Sequence, residues 1–230
     1  MKTVGLIGGM SWESTTLYYQ LLNRGIQERL GGLHSAKIIM ESVDFHEIET
    51  LMRTGQWDKI GEGLAEAARR LERGGADFVL LCTNTIHKVA PRIEAALTVP
   101  FLHLIDATGR GIVNQGIERV GLLGTSFTME EEFYRSRLEQ EHNLTVLIPG
   151  QEDRDLVNRI IFRELCLGKV RDQSATEYLR IIRELEADGA QGIILGCTEI
   201  GMLIRQEQSS VPFFDTTHIH VAAAIEEMLG

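Results

Sequence analysis

Two short polar segments carry the residue types that could do chemistry, and each follows an apolar run typical of a buried strand. Residues 82–87 read Cys-Thr-Asn-Thr-Ile-His, and residues 197–199 read Cys-Thr-Glu. Thiols and hydroxyls can move protons or act as nucleophiles, and polar groups at the end of a buried strand need partners. Asn84 and Thr198 are also good helix-capping types, so each segment alone fits a capping role equally well.

The elements that must position these segments alternate along the chain. Runs rich in β-branched and aliphatic residues predict strands at 3–7, 36–42, 78–82, 101–104, 119–123, 144–147, 192–195 and 212–214. Longer patterns with helical spacing predict helices, among them 12–30, 60–73, 176–187 and 218–229. Such alternation is typical of parallel sheets covered by helices on both faces, so the sequence predicts an α/β fold.

The two halves of the chain resemble each other. Residues 4–8 match 120–124, residues 75–81 match 189–195, and residues 99–101 match 211–213. Any α/β protein repeats some strand and turn chemistry, but three matches in the same order favour an internal duplication. We therefore expect two pseudo-symmetric lobes, each a Rossmann-like or flavodoxin-like sandwich. One lobe comprises 1–105 plus 212–230, because the last helix returns to it, and the other comprises 106–211.

Parallel sheets bind ligands beyond the carboxyl ends of their strands, so we expect a site in a cleft between the two lobes. The duplication aligns Thr83 with Cys197 and Cys82 with Gly196. Adjacent residues of a strand point to opposite faces, so Cys82 and Thr83 cannot both face the cleft without a local distortion. We favour Thr83 as the residue that faces the cleft and keep Cys82 as the alternative.

Composition excludes several other classes of protein. The 230 residues fit one or two domains, and the net charge of −10 disfavours nucleic acid and anionic membrane surfaces as partners. Three cysteines are too few for a secreted disulfide framework, and we find neither a signal peptide nor a transmembrane segment. We expect a cytoplasmic protein. Residues 5–11 lack the spacing of a dinucleotide or phosphate loop, and the histidines lack metal-ligand spacing.

Three motifs together resemble the aspartate/glutamate racemase family, the amino-acid racemases that use no pyridoxal phosphate. They are Gly-Gly-Met at 8–10, Asn-Thr-x-His at 84–87 and Gly-Cys-Thr-Glu at 196–199, and the resemblance covers essentially the whole chain. It implies the aspartate/glutamate racemase fold, a small-molecule amino acid as substrate, no cofactor or metal, and a homodimer.

The resemblance also implies a chemistry from which this chain departs. Members of the family invert the α-carbon with two cysteines, one acting as base and one as acid. Here the position of the first cysteine holds Thr83, and Cys82 stands one residue earlier. A thiolate needs a helix N-terminus or a positive partner to form near neutral pH, and a hydroxyl is a much weaker acid than a thiol. We expect Cys197 to be the stronger base, Thr83 to act mainly as a proton donor, and the two directions to be kinetically unequal.

Substrate recognition is less sharply defined. Candidate substrate-binding residues are Met10, Met52, Asn84, Thr85, Thr125, Cys166 and Thr198. Aspartate-specific relatives place an arginine and a lysine where a rough alignment puts Ile48 and Cys166, although Arg53 lies close by. A side-chain carboxylate binds poorly without a cation, so both a dicarboxylate and a neutral amino acid stay open as substrates.

Some residues and functions keep a second interpretation. Cys166 fits a packed structural thiol or a wall of the pocket, and His87 fits either a supporting role or plain packing at a helix start. Glu199 either tunes Cys197 or caps a helix. The alternatives to a racemase are a single-cysteine decarboxylase or cis–trans isomerase of the same fold, and a catalytically degenerate amino-acid-binding protein.

Overall fold

The computed structural model describes residues 1–230, and the chain divides into two units. Met1–Leu104 and His220–Gly230 form the first unit, and Ile105–Ile219 form the second. We expected residues 212–230 to belong to the first lobe. The strand at Phe213–Asp215 instead pairs with Ile193–Leu195, so the chain returns to the first unit only at His220.

Each unit contains one four-stranded sheet in which all neighbouring strands are parallel. The strands are β1 (Val4–Gly8), β2 (Ile38–Ser42), β3 (Phe78–Leu81), β4 (Phe101–Leu102), β5 (Arg119–Leu123), β6 (Thr145–Leu147), β7 (Ile193–Leu195) and β8 (Phe213–Asp215). The strand order is β2-β1-β3-β4 in the first sheet and β6-β5-β7-β8 in the second. The predicted α/β fold is confirmed, and all eight predicted strands are present.

Helices connect the strands. They are α1 (Trp12–Leu30), α2 (Phe45–Arg53), α3 (Trp57–Arg73), α4 (Ala90–Glu94), α5 (Leu104–Val113), α6 (Ser126–Glu130), α7 (Glu132–His142), α8 (Gln151–Arg163), α9 (Asp172–Ala187), α10 (Ile200–Leu203) and α11 (Thr216–Leu229). The first agrees with its predicted bounds, whereas α3, α9 and α11 begin earlier than predicted. Gly75 and Gly189 follow α3 and α9 with φ of 98° and 97°, a conformation that favours glycine. None of the helices combines the length and the apolar character needed to cross a membrane.

The two sheets share one register, which supports the internal duplication. Leu6 of β1 pairs with Leu80 of β3, and the matching residues Leu122 and Ile194 pair in β5 and β7. The pairing of β3 with β4 and that of β7 with β8 correspond in the same way. Residues at the same distance beyond β3 and β7 therefore occupy equivalent places in the two units.

Alternation along the strands sorts the first sheet into two apolar faces. One face packs against α1 and α11, and it includes the strand residues Val4, Leu6, Phe78 and Leu80. The other face packs against α3, and it includes Ile7, Val79 and Leu81. Because both faces are covered, every residue of β1 and β3 is buried.

A glycine in the first strand of each unit lets a helix pack closely on the sheet. A Cβ on Gly5 would lie 3.2 Å from the Leu71 Cβ of α3. A Cβ on Gly121 would lie 2.9 Å from the Leu185 Cδ1 of α9. The helices α3 and α9 therefore approach β1 and β5 closely at corresponding places in the two units.

Leu80→Ala should destabilise the fold far more than the same change at an exposed site. Leu80 is 0% exposed in the centre of the first sheet, and its truncation should cost about 2–5 kcal/mol. Leu33→Ala is the matched control, because Leu33 is 100% exposed and its loss should stay within about 0.5 kcal/mol. Urea unfolding measures both free energies, and equal losses would contradict the assigned core.

Candidate active site

The chain turns sharply where β3 ends. The backbone N–H of Thr83 donates to the Leu81 carbonyl oxygen at 2.9 Å, so Cys82 lies at the centre of a tight turn. The Cys82 side chain is fully buried among the residues of the face that packs on α1 and α11. Burial raises the pKa of the Cys82 thiol far above its ordinary value. Cys82 therefore continues the buried face of β3, and Thr83 is the first partly exposed residue after it.

Polar residues follow Thr83 in close order. Asn84 is buried and Thr85 is half-buried, and Thr85 begins a short 3₁₀ helix, Thr85–Val89. The His87 Nδ1 donates to the Thr83 carbonyl oxygen at 2.7 Å. The structure thus brings Thr83, Asn84 and Thr85 together at the carboxyl end of β3, where the strand order predicts ligand binding.

The loop after β1 is hydrogen-bonded to the first turns of α1. The Gly9 N–H donates to the Thr15 Oγ1 at 2.8 Å, and the Ser11 side chain caps α1 by accepting from the Ser14 N–H. Met10 is 4% exposed, and Met52 packs against the same apolar cluster on the α3 face. Both methionines therefore contribute apolar surface within the first unit.

The end of β7 brings a thiol and a carboxylate together. The Cys197 Sγ donates to the Glu199 Oε2 at 2.9 Å, and the Thr198 hydroxyl donates to the same oxygen at 2.8 Å. Burial raises the pKa of Cys197 well above its ordinary value, and the charge and hydrogen bond of Glu199 raise it further. Of the two interpretations of Glu199, the structure supports the one in which it tunes Cys197, because its side chain binds the thiol and makes no capping hydrogen bond. Its charge is negative, whereas a thiolate needs a helix N-terminus or a positive partner. Cys197 therefore rests as a thiol that is hydrogen-bonded to a carboxylate.

The loop after β5 lies beside the end of β7. A Cβ on Gly124 would lie 3.2 Å from the Gly196 carbonyl oxygen, so the two loops touch. Thr125 is buried, and its side chain caps α6 by accepting from the Thr128 N–H. The structure thus places Thr125 at the same sheet edge as Cys197, and it also shows the capping role directly.

Cys166 lies near Cys197 but is not packed in the core. It is exposed on the 3₁₀ turn Leu165–Leu167, so the interpretation as a packed structural thiol is wrong. The two thiols are close enough that ionisation of Cys166 would raise the pKa of Cys197 further. Burial raises the pKa of Tyr178, and its closeness to the ionisable groups of Cys197, Cys166 and Glu164 raises it further. Sequence reasoning missed Tyr178 and Glu164, because helical periodicity shows only that Tyr178 faces the core of its unit.

The first unit offers two positions, Ile48 and Arg53, for a cation that would bind a side-chain carboxylate of the substrate. Ile48 is buried in the cluster on the α3 face. Arg53 ends α2 on the surface, where its Nε lies 3.9 Å from the Glu49 Oε1 and the side chain is 71% exposed. Neither residue presents a buried cation for a second carboxylate. No group of three or more His, Cys, Asp or Glu side chains is arranged to hold a metal ion.

A family model and two similar solved structures indicate the same protein family. The family model for Asp/Glu/Hydantoin racemase matches residues 7–224. A Yersinia pestis protein named as a candidate Asp/Glu racemase is 53% identical, and each chain is covered in full at a TM-score of 0.96. An aspartate racemase homologue from Pyrococcus horikoshii is 35% identical with the same coverage and a TM-score of 0.89.

Two more distant matches are a curated racemase and a structure that shares the fold. The broad specificity amino-acid racemase RacX of Bacillus subtilis is 27% identical over 161 residues, which is 70% of this chain and 68% of RacX. A variant of arylmalonate decarboxylase shares the fold at 16% identity, with a TM-score of 0.59 and coverage of 100% of this chain and 93% of that one. This last likeness concerns the fold alone.

Glu199→Gln should lower the pKa of Cys197, because it removes the negative charge and the charged hydrogen bond that favour the thiol. Alkylation of Cys197 by iodoacetamide should then begin at lower pH, as followed by peptide mass spectrometry across a pH series. Glu207→Gln, on the exposed turn Gln206–Gln208, is the matched control and should leave the profile unchanged. An unchanged or upward-shifted profile in Glu199→Gln would refute the electrostatic assignment.

Proposed function

Since the chain belongs to the Asp/Glu/Hydantoin racemase family, we propose that it racemises an amino acid without a cofactor, by two-base proton transfer at the α-carbon. The observation that carries the proposal is the shared register of the two sheets, which makes Thr83 and Cys197 equivalent residues beyond β3 and β7. A duplicated fold with proton-transferring groups at equivalent strand ends is suited to act on both faces of one carbon.

Cys197 is the base in this proposal. Its thiol passes a proton to the Glu199 Oε2, and the resulting thiolate removes the proton from the α-carbon. The Thr83 hydroxyl then donates its proton to the opposite face of the carbanion. Solvent reprotonates the Thr83 oxygen, and Glu199 releases its proton to solvent, which restores the resting state. In the reverse direction Thr83 has to remove the α-proton, which a hydroxyl does poorly without an adjacent base. We therefore expect unequal rates in the two directions.

Cys82 is not the partner of Cys197 in this proposal. Its side chain is 0% exposed, and burial raises its pKa, so neither access nor ionisation favours proton transfer. The substrate-binding roles of Asn84, Thr85, Thr125 and Thr198 stay predictions, as do those of Met10, Met52 and Cys166. The cytoplasmic location and the homodimer also stay predictions from the family resemblance.

We propose a substrate whose side chain carries no charge. Ile48 is apolar and buried, Cys166 carries no positive charge, and Arg53 pairs with Glu49 on the surface. A second carboxylate would therefore lack the charge-assisted hydrogen bonds that hold it in a dicarboxylate site. The broad specificity that the name of RacX gives to that relative is compatible with this choice.

Incubation with single amino acids in heavy water, without pyridoxal phosphate, tests the reaction. α-Deuterium incorporation with loss of optical rotation is expected for homoserine, methionine or leucine before aspartate or glutamate. Cys197→Ser should slow the exchange by about 10²–10⁴-fold, because it removes the base. Binding without exchange would instead indicate an amino-acid-binding protein, and a product of lower mass would indicate a decarboxylase.

Thr83→Cys and Cys82→Ala separate the two candidates for the second group. Thr83→Cys should accelerate the slower direction, since a thiol ionises more easily than a hydroxyl. Cys82→Ala should keep kcat in both directions while it costs about 0.5–3 kcal/mol of stability. Initial rates from each enantiomer, with thermal unfolding as the control for folding, measure both effects. Loss of activity in Cys82→Ala with retention in Thr83→Ala would reverse the assignment.

A further inference from the structure

A buried imidazole joins the ends of two neighbouring strands of the first sheet. His87 is 2% exposed, and both of its ring nitrogens are engaged with backbone groups. Its Nδ1 donates to the Thr83 carbonyl oxygen at 2.7 Å, just beyond β3. Its Nε2 accepts from the Leu104 N–H at 3.2 Å, just beyond β4. Strand β4 stops at Leu102, and α5 begins at Leu104.

These two partners determine the state of the ring. A carbonyl oxygen can only accept, so the Nδ1 of His87 must carry a proton. A backbone N–H can only donate, so the Nε2 must offer its lone pair. His87 is therefore held as a neutral imidazole in the Nδ1–H tautomer. A neutral ring with a donor on one side and an acceptor on the other acts here as a rigid bridge between backbone groups.

The bridge completes the hydrogen bonding of the Thr83 backbone. The Thr83 N–H already donates to the Leu81 carbonyl oxygen at 2.9 Å, and His87 occupies the Thr83 carbonyl oxygen. Both backbone polar groups of Thr83 are thus tied to neighbouring elements, and its hydroxyl takes no part in this network. The direction in which the hydroxyl points is set by a backbone that His87 helps to fix.

The ring of His87 is itself held in place by aromatic neighbours. Its centroid lies 4.7 Å from that of His103 and 5.9 Å from that of Phe101. The ring of His220 lies 6.2 Å away, and its Nδ1 and Nε2 are bound to the Tyr18 hydroxyl and the Leu102 carbonyl oxygen. Packing of this kind keeps an imidazole from rotating, which a positioning group requires.

The second unit has no counterpart of this imidazole. The register that equates Thr83 with Cys197 places Gly201 where the first unit has His87. There the Cys197 carbonyl oxygen accepts from the Ile200 N–H at 3.1 Å, within the same short segment of chain. The imidazole bridge therefore occurs only in the first unit, beside Thr83, and is not a general feature of the duplicated fold.

We propose that His87 is a positioning residue for the Thr83 hydroxyl, acting through the Thr83 backbone and without exchanging protons itself. This inference rests on the proposed racemase function, because it gives Thr83 a role at the α-carbon. Small displacements of a reacting group cost large factors in rate, so loss of the bridge should lower kcat and leave KM nearly unchanged.

A graded set of variants tests the proposal. His87→Leu should lower kcat by about 10- to 100-fold. His87→Asn should recover part of that loss, because its amide can donate to the Thr83 carbonyl oxygen in place of Nδ1. His142→Asn is the matched control, since it alters a largely buried histidine of the second unit whose Nε2 lies 3.4 Å from the Asp106 Oδ1. At equal thermal stability it should keep most of kcat, whereas an equal loss of kcat would overturn the proposal.

A double-variant cycle with Thr83→Ala shows whether His87 acts through Thr83. The loss caused by His87→Leu should largely vanish in the Thr83→Ala background, and fully additive losses would contradict the proposal. NMR of histidine labelled with ¹⁵N provides a readout that needs no activity, and it should show the Nδ1–H tautomer of His87. The opposite tautomer would refute the bridge. A wild-type protein that exchanges no amino acid would instead refute the proposed function.

Discussion

The whole arrangement depends on one constraint of parallel sheets: a strand that is covered on both faces can present functional groups only where it ends. Every residue of β3 and of β7 is buried, so chemistry in these two regions is confined to the segments that follow them. The alternation of side chains between the two faces of the strand then determines which residue beyond the strand is the first to be exposed. In the first unit it keeps Cys82 among apolar side chains and releases Thr83.

The same constraint gives the two strand ends different electrostatics. Beyond β7, the Cys197 thiol is hydrogen-bonded to the Glu199 carboxylate, which holds its proton in the resting state. Beyond β3, the corresponding group is the Thr83 hydroxyl, and the Thr83 backbone is hydrogen-bonded to the neutral imidazole of His87. The two equivalent strand ends thus carry different groups, a thiol and a hydroxyl. Because a hydroxyl is a much weaker acid than a thiol, we propose unequal rates in the two directions of racemisation.

The sequence predicts the fold well because its signals are local. Runs of β-branched residues, glycines after helices and a repeated order of strands all act within short stretches of chain, and they identified the eight strands and the duplication. The sequence placed the return of the chain to the first lobe at residue 212, whereas it occurs at His220. The pairing of β8 with β7 explains the difference, and no local pattern shows that pairing. Alternation also predicted that Cys82 and Thr83 would face different ways.

The environment of the candidate site was less accessible to sequence reasoning. The direction of the Glu199 side chain, the approach of Cys166 and Tyr178 to Cys197, and the bridge made by His87 all depend on contacts between separate elements. A motif names such residues without fixing their rotamers. Glu199 is the clearest example, since the sequence named it as a group that could tune Cys197 but did not show the hydrogen bond and charge by which it raises the pKa of the thiol.

The position of isotope during early turnover in heavy water tests the central claim most directly, because two different groups on the two faces of the α-carbon leave a distinct label pattern. Each enantiomer of an accepted amino acid is converted briefly, and recovered substrate and product are separated and analysed for α-deuterium. The account predicts deuterium in the product while the recovered substrate keeps its α-protium. Equal early labelling of substrate and product would indicate a single exchanging group and would contradict it.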